Sequence, residues 1–175
     1  MSVVKQLFAL GLLVSPCAAA VASDADASKN VDVTFTNPDK YTDAAPHRGP
    51  SKERDGTLRQ LGTYVEKVGG KYLTPGQKLS IEVLDLDLAG RVEWWHGPAT
   101  DIRIMRNIDS PAMKVRYTLT ENGVEKASGE ERISDMSYLF SPTSIMNDGD
   151  PLKYEKSMLR DWLRKRFGNL NSPSS

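Results

Sequence analysis

Between Lys78 and Leu88 polar and apolar residues alternate, and then the alternation changes phase. Leu79, Ile81 and Val83 point to one side of an extended chain, whereas Leu84, Leu86 and Leu88 point to the other. Side chains on a strand repeat every two residues. A phase change therefore needs either cover on both faces or a β-bulge that flips the register. The rest of the chain is read around this segment.

Upstream, Val31, Val33 and Phe35 alternate with Asp32, Thr34 and Thr36, the pattern of a half-buried strand, and Asn37-Pro38-Asp39 ends it with turn chemistry. From about Ser51 the spacing becomes helical, with Leu58, Leu61, Val65 and Val68 on one stripe. Gly69-Gly70 is expected to stop that helix at a left-handed cap, and Pro75-Gly76 turns the chain into the long strand, which Gly90 ends. Ile102 and Ile104 mark a short strand, and Met113, Val115, Tyr117 and Leu119 a longer one.

Asn122-Gly123 then predicts a hairpin. A two-residue turn sets Val115 against Glu130 and Leu119 against Lys126, a poor match. A three-residue turn, Glu121-Asn122-Gly123, is therefore preferred. It places Gly129 opposite Val115, Ala127 opposite Tyr117 and Lys114 across from Glu130. The last element is a helix capped by Asp150, with Pro151 at its first position and Gly168 at its end. Tyr154, Met158, Leu159, Trp162 and Leu163 form its apolar face, and Arg164, Lys165 and Arg166 complement its dipole.

The order strand, helix, four strands, helix predicts a two-layer α+β domain: a mainly antiparallel sheet of about five strands with two helices. Residues 31–170 make one such domain, with 23–30 as a flexible lead-in and 171–175 as a disordered tail.

Residues 1–22 read as a cleaved signal peptide. Lys5 and the amino terminus supply positive charge, and Leu7 to Val14 is an apolar run far short of the roughly 20 residues that span a bilayer. Ala20-Val21-Ala22 then places cleavage between Ala22 and Ser23. Cys17 sits where a lipoprotein would be acylated, but rigid Pro16 stands where such a processing site wants Gly or Ala. Cleavage removes Cys17, the one cysteine, so in an oxidising periplasm the fold stands on its core without disulfides. The 23 basic and 23 acidic side chains balance, which argues against a nucleic-acid partner.

Several separated stretches carry a resemblance: Asp85-Leu86-Asp87-Leu88-Ala89-Gly90-Arg91, Asp101-Ile102-Arg103, and Tyr154-Glu155-Lys156 with Met158-Leu159 and Asp161-Trp162. With Val33-Thr34-Phe35, Pro38, Tyr41 and Asp43, these make the chain similar to the proteobacterial domain-of-unknown-function family 3016. The resemblance implies a secreted single-domain protein and supplies no activity.

The strongest polar constellation is Asp85 and Asp87 on one side of a strand, with Asp101, Arg91 and Arg103 on neighbouring elements. Paired carboxylates can hold a hard cation or share acid–base work, and the arginines can equally neutralise them in a structural network. Trp94-Trp95-His96 forms a candidate aromatic surface for a sugar, a lipid interface or a protein. Lys153, Lys156, Arg160 and Arg164 fall at helical spacing, a stripe that suits an anionic partner. His47 and His96 are the only histidines, too few and too far apart for a zinc site, and no catalytic motif or cofactor fingerprint is present.

These observations lead to an expectation of a periplasmic or envelope protein that binds a partner without catalysis. The partner classes are an envelope protein, a glycan or an anionic lipid. No cofactor, no metal and no transmembrane segment after cleavage are expected. The alternatives are metal-assisted hydrolysis of an envelope substrate through Asp85 and Asp87, and a small-ligand or metal carrier.

Overall fold

The computed structural model describes residues 30–45, 51–93, 103–140, 142 and 149–168. The segment whose alternation changes phase is β2 (Gln77–Asp87), and the change is a bulge: pairing with the neighbouring strand skips from Val83 to Asp85. Leu79, Ile81 and Val83 are buried before the bulge, and Leu86 and Leu88 after it. The inserted residue returns the second set of leucines to the face that packs the first, so one packed face runs the length of the strand.

Two antiparallel strands continue the sheet, β5 (Ala112–Glu121) beside β2 and β6 (Val124–Ser134) at the edge. On the other side of β2 lies β1 (Val31–Phe35), in parallel. Between β1 and β2 runs α1 (Ser51–Gly69); a parallel neighbour needs such a crossover. The order is β1-β2-β5-β6. The short strand expected around Ile102–Ile104 is β4 (Arg103–Ile104), and it stays out of this sheet. It pairs with β3 (Arg91–Val92) in a separate two-stranded ladder. The class is α+β, and the strands are divided between a mixed four-stranded sheet and this small one.

The final helix is α2 (Lys153–Phe167). The helix is capped at Leu152, so Asp150 and Pro151, expected as cap and first helical residue, lie in the turn before it. There the Leu152 N–H donates to Asp150 Oδ1 at 2.9 Å, and Lys156 Nζ reaches Oδ2 at 2.7 Å. Leu58, Leu61 and Val65 of α1 and Met158, Leu159, Leu163 and Phe167 of α2 form one core with the inner face of the sheet. Tyr117 meets the Trp162 and Phe167 rings edge-on, at centroid distances of 6.1 and 5.5 Å. Among the described residues no helix is long and apolar enough to cross a membrane.

Two further local expectations are corrected. Gly69 is right-handed helical (φ −61°), and a 3-10 turn over Gly70–Tyr72 follows it. Its value lies in close approach: a Cβ there would stand 3.3 Å from Val31 Cγ2.

The β5–β6 hairpin closes through a two-residue turn, with Asn122 and Gly123 both at positive φ (50° and 82°) and Glu121 paired with Val124. A bulge after Glu125 then shifts the register, so Gly129 faces Tyr117, Ala127 faces Leu119 and Glu131 faces Val115. Lys114 stands opposite Arg132 and reaches Glu130 diagonally, at 2.7 Å. Glu131 therefore points inward, where Trp162 Nε1 donates to its Oε2 at 2.9 Å and Arg166 pairs with its other oxygen. An inward charge on an edge strand discourages pairing with another chain. The hydrophobic pattern of β6 could not reveal this register, because α2 supplies the partners that make a buried-side glutamate acceptable.

Candidate functional site

Past β1 the chain hugs the edge of β2. The Asp43 N–H donates to Leu86 O at 2.9 Å and its carbonyl accepts from Leu88 N–H at 3.0 Å, placing Asp43 beside Asp87. Asp85 lies at the bulge, and its carboxylate accepts from Thr42 N–H (2.7 Å), Thr42 Oγ1 (2.8 Å) and its own neighbour Leu86 N–H (2.9 Å). Asp85 thus fixes the bulge and the 41–43 segment together. Tyr41 reinforces the tie by donating its hydroxyl to Val83 O at 2.7 Å. Burial, with help from Asp85 and Glu82, pushes that phenol up to about 12, so it holds its proton at neutral pH.

The arginines do not pair with Asp85 or Asp87. Arg103 turns into the fold, its side chain 9% exposed. Nη2 donates to Asp43 Oδ2 and to Ala45 O, both at 2.8 Å; Nη1 donates to Gly90 O at 2.8 Å and Ala89 O at 3.2 Å. The planar fork therefore clamps the 43–45 segment, the 89–90 turn and β4. Gly90 is required in that turn. Its φ is +72°, and a Cβ would lie 2.5 Å from Ile104 O. Arg91 Nε instead binds Asp109 Oδ1 at 2.8 Å. No hydrogen bond or ion pair reaches the Asp87 carboxylate among the described residues. Burial raises its pKa; Asp43 and Asp85 add to the rise, while Arg91 and Arg132 oppose it.

Behind the clamp sits Glu155 of α2, 2% exposed. Its Oε1 accepts from Ala89 N–H at 2.8 Å, whereas Oε2 finds no hydrogen-bond partner. Burial raises its pKa against the lowering effects of that hydrogen bond and of Arg103. Among the described residues no group of three or more His, Cys, Asp or Glu is arranged to hold a metal ion. Chemically, the constellation is a set of ties: carboxylates hold backbone N–H groups, and a buried guanidinium holds carbonyls.

The basic stripe is also largely engaged. Lys156 binds Asp150, Arg164 binds Asp161 at 3.2 Å, Arg160 lies 3.8 Å from Asp161, and Lys153 sits over the Tyr154 ring. Trp94, Trp95, His96, Asp101 and His47 lie outside the described residues, as do residues 1–29 and 169–175, where the signal peptide, lead-in and tail are expected.

A feature the sequence reading did not single out occupies one end of the sheet. Beyond β5 and β6 the connections 105–111 and 135–140 run side by side. The Tyr138 hydroxyl staples them by donating to Arg106 O at 2.6 Å, and Asp135 N–H donates to Pro111 O at 3.3 Å. They carry Met105, Ile108, Met136 and Phe140, the last three 78%, 80% and 79% exposed. Ile108, Met136 and Phe140 are the most exposed large apolar side chains among the described residues.

A model of the family described as "Protein of unknown function (DUF3016)" matches residues 29–165. The chain belongs to DUF3016. No curated protein and no solved structure matches it. The matched DUF3016 region contains the Asp43–Arg103 clamp, the Asp85 bulge, Glu155 and the stapled connections alike. Glu155 and Asp43 were both within reach of the sequence. Glu155 falls on the stripe of Leu159, Trp162 and Leu163, and a charge on an apolar helix face signals a buried tie. Asp43 appeared only through the resemblance, because the irregular stretch around it has no periodicity to read.

Proposed function

We propose that this DUF3016 chain is an exported, non-enzymatic accessory protein of the periplasm or envelope, and that it works by binding a partner. The observation that carries this reading is the gathering of Met105, Ile108, Met136 and Phe140 at one stapled end of the sheet. Exposing such side chains costs solubility, and a partner that covers them offsets the cost. The polar constellation supports the same reading, since Arg103 and Asp85 spend their hydrogen bonds on backbone groups of the fold. Export rests on the apolar run Leu7–Val14 and the small residues up to Ala22.

Cell fractionation with mass analysis of the N-terminus tests it. A chain beginning at Ser23, recovered from the envelope in a complex larger than itself, is expected. The double variant Ile108→Ser/Phe140→Ser should be processed equally and be recovered free. A full-mass chain in the cytoplasm, or a double variant that behaves like the parent, contradicts the reading.

A further inference from the structure

At the stapled end two ion pairs put the cation outside and the carboxylate inside. The Arg91 side chain is 59% exposed over Asp109 at 10%, and Arg106 is 46% exposed over Glu93 at 2%. Arg132 and Lys165 are exposed too, and neither makes an ion pair among the described residues. They flank an open groove of about 290 Å³ between the end of β6 and α2, with Met158, Trp162 and Asp161, which pairs with Arg164, among its walls. The groove reaches Asp135, the neighbour of exposed Met136. The surface thus presents arginines outward around apolar side chains that protrude singly from two loops. Ile108, Met136 and Phe140 stand out from the loops, 78%, 80% and 79% exposed. Apolar tips ringed by cations fit a bilayer whose headgroups are negative: the tips enter the acyl boundary and the guanidinium groups meet phosphates.

We propose that this end of the sheet docks on an anionic phospholipid surface, with Ile108, Met136 and Phe140 inserted and Arg91, Arg106 and Arg132 on the headgroups. The proposal rests on the binding reading above and names the partner. It places lipid contact on the loops rather than on the α2 stripe, because the loops carry the exposed apolar side chains.

The test places a photo-crosslinking phenylalanine analogue at Phe140 of the full chain. A second chain carries it at Val124, which is exposed at the opposite end of the sheet. Each is mixed with vesicles of phosphatidylglycerol and phosphatidylethanolamine, or of phosphatidylcholine alone. Because the N-terminal apolar run is common to both chains, the site of crosslinking separates the two routes to the membrane. Lipid adducts from position 140, absent from position 124 and dependent on phosphatidylglycerol, are expected. Arg132→Gln should lower the yield about fivefold, the worth of one basic side chain at an anionic surface. Ile108→Ser should lower it at least about tenfold. High salt should reproduce the arginine effect without any substitution.

Equal yields from positions 124 and 140, or from neutral and anionic vesicles, overturn the proposal. So does a position-140 adduct in cells that is protein with no lipid. That last result leaves the accessory-protein reading standing, whereas a chain retained in the cytoplasm removes that reading and not the vesicle result.

Discussion

Replacing Arg103 with methionine keeps most of the side-chain volume and removes every donor. Ala45 O, Ala89 O and Gly90 O lose their partner, and the Asp43 carboxylate loses its counter-ion. Breaking a buried ion pair from one side costs about 3–5 kcal/mol. The Asp43 side chain is 24% exposed, so water recovers part of its charge and the lower end applies, about 3 kcal/mol. Against a total stability of about 5–15 kcal/mol, that is a large fraction. Urea unfolding, followed by far-UV circular dichroism and by tryptophan fluorescence, reads the change as a lower midpoint at unchanged slope. Arg103→Lys should lose most of the same energy, because a point charge cannot span four separated acceptors. Arg164→Met is the comparison: its side chain is 63% exposed and that of its partner Asp161 40%, and the loss should stay within about 1 kcal/mol. If Arg103→Met costs no more than Arg164→Met, the clamp is not what holds the 43–45 segment and the 89–90 turn together, and the structural reading of the constellation fails.

Other outcomes follow from the same geometry. Gly90→Ala should destabilise by clearly more than Gly123→Ala in thermal unfolding: both have positive φ, but only Gly90 would also drive a Cβ into a carbonyl, and the Gly123 cost should be about 1 kcal/mol. Leu163→Ala, at a fully buried position facing the sheet, should cost about 2–5 kcal/mol. Glu155 should make the fold pH-dependent. Its pKa is raised in the folded state, so between the unfolded and folded values the folded chain binds more protons, and stability falls as pH rises through that window. Urea midpoints of Glu155→Gln, which keeps an acceptor for Ala89 N–H, should therefore gain on the parent as pH rises; parallel curves would contradict this. Glu82 and Glu130 work in the other direction on the exposed face. Hydrogen bonds from Thr36 and Lys114, with Arg116 bridging both carboxylates, lower their pKa values. Their small contribution is present at neutral pH and lost as pH falls, and molar salt should erase the difference between Arg116→Gln and the parent.

Elements with a clean period were legible in the sequence. The α1 stripe of Leu58, Leu61 and Val65 and the α2 face of Met158, Leu159 and Leu163 are the buried faces found in the structure. The phase change in β2 posed two solutions, and the bulge at Leu84 is the one adopted. What resisted reading depends on partners distant in sequence. The β6 register turns on Trp162 and Arg166 accepting an inward Glu131. The parallel placement of β1 is set by how α1 packs, which no local pattern encodes. For the candidate site, Asp85, Asp87, Arg91 and Arg103 do lie around the end of β2, yet Asp85 binds Thr42, Arg91 binds Asp109, and Arg103 binds Asp43 and backbone carbonyls. No hydrogen bond or ion pair among the described residues reaches the Asp87 carboxylate. Spacing along a strand places a carboxylate on a face without saying which charge arrives to meet it. Met105, Ile108, Met136 and Phe140 escaped notice because exposed apolar residues in loops have no period, and the bonds that join their two connections, from Tyr138 to Arg106 and from Asp135 to Pro111, span distant parts of the sequence.

The central claim is that the stapled apolar end meets the partner while the Asp85–Arg103 constellation holds the fold. A scan of photo-crosslinking substitutions in living cells tests it most directly, with the probe in turn at Ile108, Met136 and Phe140, and at Thr42 and Asp87. The account predicts adducts from the first three positions and none from the other two. Adducts confined to Thr42 and Asp87 would place the working surface on the constellation and contradict it.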